Sequence, residues 1–243
     1  EGSPVKGGDW DSGPLWDLIE RIHRVEGLER IRLGSLEPRI ITREFAEKLA
    51  GLPEFCPHFH LSLQSGCDAT LKRMNRHYTT EDYLGRCGIL REIFDHPAIT
   101  TDVIVGFPGE TQEEFEITRE FLKKVHFYEM HVFKYSKRAG TRAAVMPDQV
   151  PEQVKGRRSD VLLELEASMS REYREHFIGS SVWVLFEDMA EVEGRKYIIG
   201  HTPQYVKAAL AVKDGEENRL SGQILCLKAA GLLGGDLLEV GWQ

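Results

Sequence analysis

The sequence has few of the features that would assign it to a special class. No apolar run approaches the ~18 residues that a transmembrane helix needs, so a membrane partner is not expected. The first residues, Glu1 to Gly13, carry no basic segment followed by an apolar one, and no signal peptide is expected there. Only four cysteines occur in 243 residues (Cys56, Cys67, Cys87 and Cys226), without framework spacing. That usage fits a reducing cytoplasm better than a disulfide scaffold. Positive charge is also scarce. A formal net charge of −8 means that any nucleic-acid partner must be met by local basic patches. No Ser-His-Asp or Cys-His pattern stands out, and no catalytic residue is assigned.

What is present is alternation. Four segments read as buried strands: Arg30–Ser35, His58–Gln64, Ile99–Gly106 and Tyr128–Tyr135. Helical spacing of apolar residues lies between and before them, over Leu15–Val25, Thr42–Leu49, Glu81–Phe94 and Gln112–Val125. Thr111-Gln112-Glu113-Glu114 has the form of a capping box. Strand starts 28, 41 and 29 residues apart fit βαβ units of about 30 residues. The longer middle unit contains an extended loop, Ser65–Thr80, of the kind that builds sites at the C-terminal face of a barrel.

The fold class is therefore α/β: a partial parallel barrel lacking its first strands, because four strands alone leave two unpaired edges. Residues Glu1–Gly13 read as a loop following an earlier strand. Glu152–Ile178 reads as one long amphipathic helix, with Gly179 as its cap. Short β patterns follow at Ser181–Phe186, Lys196–His201, Tyr205–Leu210 and Gln223–Leu227, suggesting a small β barrel. The expected domains are residues 1–178 and 179–243.

Several motifs carry possible chemistry. The Gly106–Thr111 turn follows a strand and opens a helix. It is a tight turn or a loop that lets a flat ligand approach, and it lacks the lysine of a phosphate-binding loop. Gln64-Ser65 emerges at another strand end on the same face, and a capped turn explains it equally well. Lys72, Arg73, Arg76 and His77 form a basic cluster, either a solvated face or an anion site. Lys134, Lys137, Arg138 and Arg142 follow the last barrel strand, with Tyr135 as a possible stacking ring. Asp102 lies inside an apolar strand and must face a polar interior or a partner. His58 and His60 share a strand face, but no cysteine or acid stands at metal spacing, so no metal ligand is assigned.

Read together and in order, Arg30–Pro38 (RIRLGSLEP), His60–Asp68 (HLSLQSGCD), Met74–Thr79 (MNRHYT), Thr101–Thr111 (TDVIVGFPGET) and Phe133–Thr141 (FKYSKRAGT) resemble the radical-SAM methylthiotransferases. The first two segments, with Pro57–His60, look most like the branch acting on N6-threonylcarbamoyladenosine in tRNA. Residues 178–240 are similar to the TRAM domain that ends these enzymes.

The resemblance implies S-adenosylmethionine, two 4Fe–4S clusters, an electron donor and a tRNA partner, with no DNA. It implies C2-methylthiolation of the adenosine 3′-adjacent to the anticodon. The matching cofactor positions would be Gln64, Ser65, Arg76, Asp102, Gly106, Phe107, Pro108 and Gly109. RNA contact would fall to Tyr135, Arg138, Arg195, Lys196, Tyr205 and Lys207. From Ser180 onward, however, six Lys/Arg stand against nine Asp/Glu. No CxxxCxxC cluster motif occurs in the chain. Activity is therefore expected of an intact parent, not of this chain alone. Two alternatives stay open: a non-catalytic RNA-binding role, and a methylthiotransferase for isopentenyl-adenosine or a ribosomal protein.

Overall fold

Apolar strands alternating with one-sided helices can bury both only by layering, and the computed structural model, which describes residues 12–213 and 217–242, shows this arrangement. The chain runs α1 (Gly13–His23), β1 (Ser35–Leu36), α2 (Arg43–Ala50), β2 (His58–Leu61), α3 (Asp68–Arg73), α4 (Thr80–Ile93), β3 (Ala98–Val105), α5 (Gln112–Val125), β4 (Glu129–Lys134) and α6 (Glu152–Glu175). Strands β1 to β4 form one parallel sheet in chain order. The expected loop at Glu1–Gly13 lies outside the described residues except for Ser12 and Gly13, and Gly13 begins α1.

The helices form where the sequence caps them. Thr42 accepts from Phe45 N–H, and Thr79 and Thr111 each complete a capping box, with Asp82 and Glu114. Below the helices lies one face of the sheet. Phe59, Leu61, Thr101, Val103 and Val105 are buried there with Phe45, Tyr83, Phe115 and Leu122. Burying each large apolar side chain contributes about 1.5–3 kcal/mol.

The strand expected over Arg30–Ser35 is corrected. Among the described residues upstream of β1 only Ile31 bridges, to Phe55. The arginines on either side of Ile31 are used elsewhere. Arg30 donates to the carbonyls of His201 (2.7 Å) and Trp183 (3.2 Å), and Arg32 lies 3.9 Å from the Tyr205 ring. The second strand also stops early, at Leu61. It touches β3 once more where Gln64 bridges Val103.

After α6 come β5 (Ser181–Val192), β6 (Arg195–His201), β7 (Lys207–Ala211), α7 (Glu217–Leu220), β8 (Ile224–Leu233) and β9 (Leu237–Gly241). They close into a five-stranded barrel in the order β5-β6-β7-β9-β8. Strand β9, absent from the sequence reading, makes the closure by pairing parallel to β7 and antiparallel to β8. The expected strand start at Tyr205 moves to Lys207, because Tyr205 takes φ +64 in a turn whose N–H bonds Thr202.

Val184, Phe186, Ala208 and Leu227 fill the barrel core, which continues into Tyr173, Phe177, Ala98 and Tyr128. Ala98 begins β3 and Tyr128 precedes β4, so the barrel docks on the N-terminal ends of the parallel strands. Their C-terminal ends stay open.

Candidate functional site

Along β2, β3 and β4 the side chains alternate between two faces. One is the core face under the helices. The other carries His58, His60, Thr100, Asp102, Ile104, His131 and Phe133, a polar set that a simple core would not hold. Register aligns it: His60 pairs with Thr100, Asp102 with His131 and Ile104 with Phe133. Asp102 stands between two imidazoles. Its Oδ2 lies 3.4 Å from His60 Nε2 and its Oδ1 lies 3.2 Å from His131 Nδ1.

At the C-terminal ends of these strands, a cavity of about 570 Å³ is lined by Gln64, Asp102, Ile104 and Phe107, by Phe133–Ser136, and by Arg138, Thr141 and Ala143 of the following loop. Small-molecule sites have this size, with apolar walls and a few polar groups. Phe107 and Tyr135 form its aromatic wall, with centroids 5.3 Å apart edge to face. The Tyr135 hydroxyl is buried and has no hydrogen-bond partner among the described residues. Gln64 holds φ +69 at its edge, its N–H bonded to the Asp102 carbonyl and its own carbonyl to Ile104 N–H. A left-handed non-glycine residue costs on the order of 1–3 kcal/mol, and such strain gathers at ligand sites.

Not every expected cofactor residue reaches this cavity. Ser65 is buried beside it, within 3.3 Å of both the Thr118 hydroxyl and the Cys67 N–H. Arg76 is exposed and does not line it. Gly106 and Gly109 are held by packing. A Cβ on Gly106, at φ +70, would sit 2.4 Å from Lys155 Cγ. The Gly106 N–H donates to the Glu110 carboxylate, and Gly109 N–H to the Asp148 carbonyl. The glycine loop is thus a turn held in place, and of its residues only Phe107 faces the cavity, while Pro108 is buried and does not line it.

Burial raises the Glu110 carboxyl pKa, and Arg158, 3.5 Å away, pulls it back. Arg73 is likewise occupied, making two hydrogen bonds to Glu114. Lys155 was missed by sequence reasoning. Only 4% exposed, it donates to the Tyr135 carbonyl (2.9 Å) and to Glu152 (2.6 Å), bracing the aromatic wall. Nothing in its helical pattern distinguishes it from a solvated lysine.

The expected RNA residues separate into three places. Tyr135 and Arg138 line the cavity. Arg195 and Lys196 lie at one end of the β6–β7 ladder beside Lys213, and Lys207 pairs with His201 at the other end. Six residues of strand put those ends about 20 Å apart. Tyr205, expected at the RNA contact, is 38% exposed, but its ring faces are met within the protein. His201 stacks on it at 4.2 Å and 10°, and Arg32 lies 3.9 Å from its centroid. Two planar groups that close cannot share one face, so both faces are covered.

The Radical SAM superfamily profile matches residues 7–122. A tRNA-2-methylthio-N(6)-dimethylallyladenosine synthase of Caldicellulosiruptor saccharolyticus is 41% identical over 76% of this chain and 40% of its own length. A threonylcarbamoyladenosine tRNA methylthiotransferase of Bacillus subtilis is 41% identical over 87% of this chain and 46% of its own. The chain spans less than half the length of these relatives. Among solved structures, the Escherichia coli coproporphyrinogen III oxidase shares the fold, with a TM-score of 0.50 and 21% identity over 65% of this chain and 36% of that one.

Proposed function

Since this chain belongs to the radical-SAM methylthiotransferase family, we propose that it is the part of such an enzyme that holds S-adenosylmethionine and meets tRNA. The family uses S-adenosylmethionine and 4Fe–4S clusters. The observation that carries the reading is the cavity at the strand ends, with its unpartnered Tyr135 hydroxyl.

S-adenosylmethionine has a flat purine, ribose hydroxyls, an ammonium and a carboxylate, and the lining fits each by chemical type. Phe107 and Tyr135 offer an apolar wall. The Asp102 carboxylate accepts from hydroxyl or ammonium groups. Tyr135 Oη makes no hydrogen bond among the described residues and can bond a ligand, and Arg138 can pair with a carboxylate. When bound, the cofactor supplies the 5′-deoxyadenosyl radical and the methyl group. The 4Fe–4S clusters do not fit this chain. Cys56, Cys67 and Cys87 are buried singly, and among the described residues no cysteine belongs to a group able to hold a metal. The clusters, and the electron donor that reduces them, belong to the intact protein.

The substrate we propose is N6-threonylcarbamoyladenosine in tRNA, in the cytoplasm. The RLGSLEP and PHFH segments and the Bacillus relative support this branch. The dimethylallyladenosine synthases at equal identity make that substrate the second reading. We take the closed barrel as TRAM-like, gripping RNA through Arg195, Lys196 and Lys207. It docks at the N-terminal strand ends, about 25 Å of strand from the cavity, a separation that a tRNA spans and a lone nucleoside does not.

Two measurements test this. S-adenosylmethionine titrated calorimetrically into the chain should bind one to one, weakened at least about tenfold by Arg138→Ala and unchanged by Arg76→Ala. Equal affinity in Arg138→Ala overturns the assignment. Deleting the encoding gene should remove the methylthio group from threonylcarbamoyladenosine in tRNA hydrolysates. Loss from the dimethylallyl nucleoside instead selects the second reading.

A further inference from the structure

The geometry points to a mononuclear metal site on the open face of the sheet, formed by His60, Asp102 and His131 and suited to a divalent first-row transition ion such as zinc or ferrous iron. The three residues come from three adjacent strands. Each offers one ligand atom, all within 4.8 Å of one another, and no other such group of three occurs among the described residues.

The spacing suits one ion. Donors each about 2.0–2.1 Å from a shared metal stand about 2.9–3.4 Å apart. Asp102 Oδ2 lies 3.4 Å from His60 Nε2 and Asp102 Oδ1 lies 3.2 Å from His131 Nδ1, so each imidazole stands at ligand spacing from a different oxygen of one carboxylate. The two imidazoles stack at 5.5 Å and 29°. His131 is the exposed member, with its side chain 58% accessible, and is free to turn and close the remaining gap.

A ligating histidine is normally fixed through its other ring nitrogen. His60 has that support: its Nδ1 lies 3.0 Å from the buried Thr100 hydroxyl. Two nitrogens and one oxygen favour zinc, iron, cobalt or nickel over magnesium or calcium, and three protein ligands leave positions open. The inference goes beyond the sequence reading, which assigned no metal ligand. It shares Asp102 with the cavity of the proposed cofactor, but its test contains no S-adenosylmethionine, so either reading can fail without the other.

The test is cobalt(II) titration of the tag-free, chelator-stripped chain, followed by visible absorption and calorimetry. One equivalent should bind and give ligand-field bands. His131→Ala, at an exposed position that leaves the core intact, should weaken binding at least about tenfold, as should Asp102→Asn. Thr100→Val, which removes only the support, should weaken it by about tenfold. His126→Ala, remote from the site, should change nothing. Cobalt affinity unchanged in His131→Ala, or no saturable binding, overturns the proposal and leaves the three residues as ion-pair partners only.

Discussion

The parallel sheet and the β barrel solve the same problem in opposite ways. Both are built from short apolar strands that must hide one face. The barrel closes on itself, so its inner face holds Phe186, with no exposed surface, and no strand edge stays unpaired. Among the described residues the sheet does not close. Its second face keeps Phe133 half-exposed and displays His60, Asp102 and His131 beside the cavity. Chemistry gathers on the face that the fold leaves open, and stability on the face that it seals.

Truncating one phenylalanine on each side is the strongest way to break that contrast. Phe186→Ala should cost about 3–5 kcal/mol, and Phe133→Ala less than about 0.5 kcal/mol, by urea denaturation. A Phe133 loss above about 2 kcal/mol would mean that its face is covered in solution, by a second copy or by another segment.

The seam between the two units gives the next effect. His58 is buried beside Arg32 and close to Tyr205. Burial first, then the Arg32 charge, lower its pKa to about 4. The unfolded histidine takes its proton near pH 6.5, and the folded one resists. Stability is therefore full above about pH 6.5 and falls as pH drops toward 4, by up to about 3 kcal/mol. His58→Gln should flatten this part of the pH–stability curve. A wild-type curve already flat between pH 7 and 4 would contradict the burial of His58. Arg30→Ala should cost about 2 kcal/mol, because two charged hydrogen bonds to barrel carbonyls are lost. It should also separate one cooperative melt into two. A single unshifted transition would mean that the units are coupled through the core that Ala98, Tyr128, Tyr173 and Phe177 share with the barrel.

The same contrast explains what could be read from sequence. Helix α5 was legible to the residue, because a capping box and four apolar positions at helical spacing agree. Strands β3 and β4 were legible as apolar runs. Strand β1 was not, since Arg30 and Arg32 serve a barrel more than 150 residues away in sequence. Strand β9 is short, and only Leu238 and Val240 turn fully inward. Strand ends signalled Gln64, Asp102, Phe107, Tyr135 and Arg138, which gather at one cavity. Ser65, Arg76 and the two glycines share those segments, but which way each turns is set by Thr118, solvent and Lys155. The His60–Asp102–His131 group was hidden because only strand register brings together residues 42 and 29 positions apart.

The smallest expected effect sharpens the comparison from inside the open unit. Thr111 accepts from Glu114 N–H at 3.1 Å, and Glu114 accepts from Thr111 N–H at 3.0 Å while also holding Arg73. Helix α6, which joins the two units, starts at Glu152 after Pro151, which offers no side-chain cap, so its hold comes from packing. Thr111→Ala should then cost about 1 kcal/mol, and Thr111→Ser almost nothing, because serine keeps the oxygen that accepts. In the Arg30→Ala background, where the two units melt apart, the Thr111 loss should lower only the transition of the sheet. A shift in the barrel transition as well would show that the N-terminus of α5 is felt across α6, and that the open and closed units are one cooperative body.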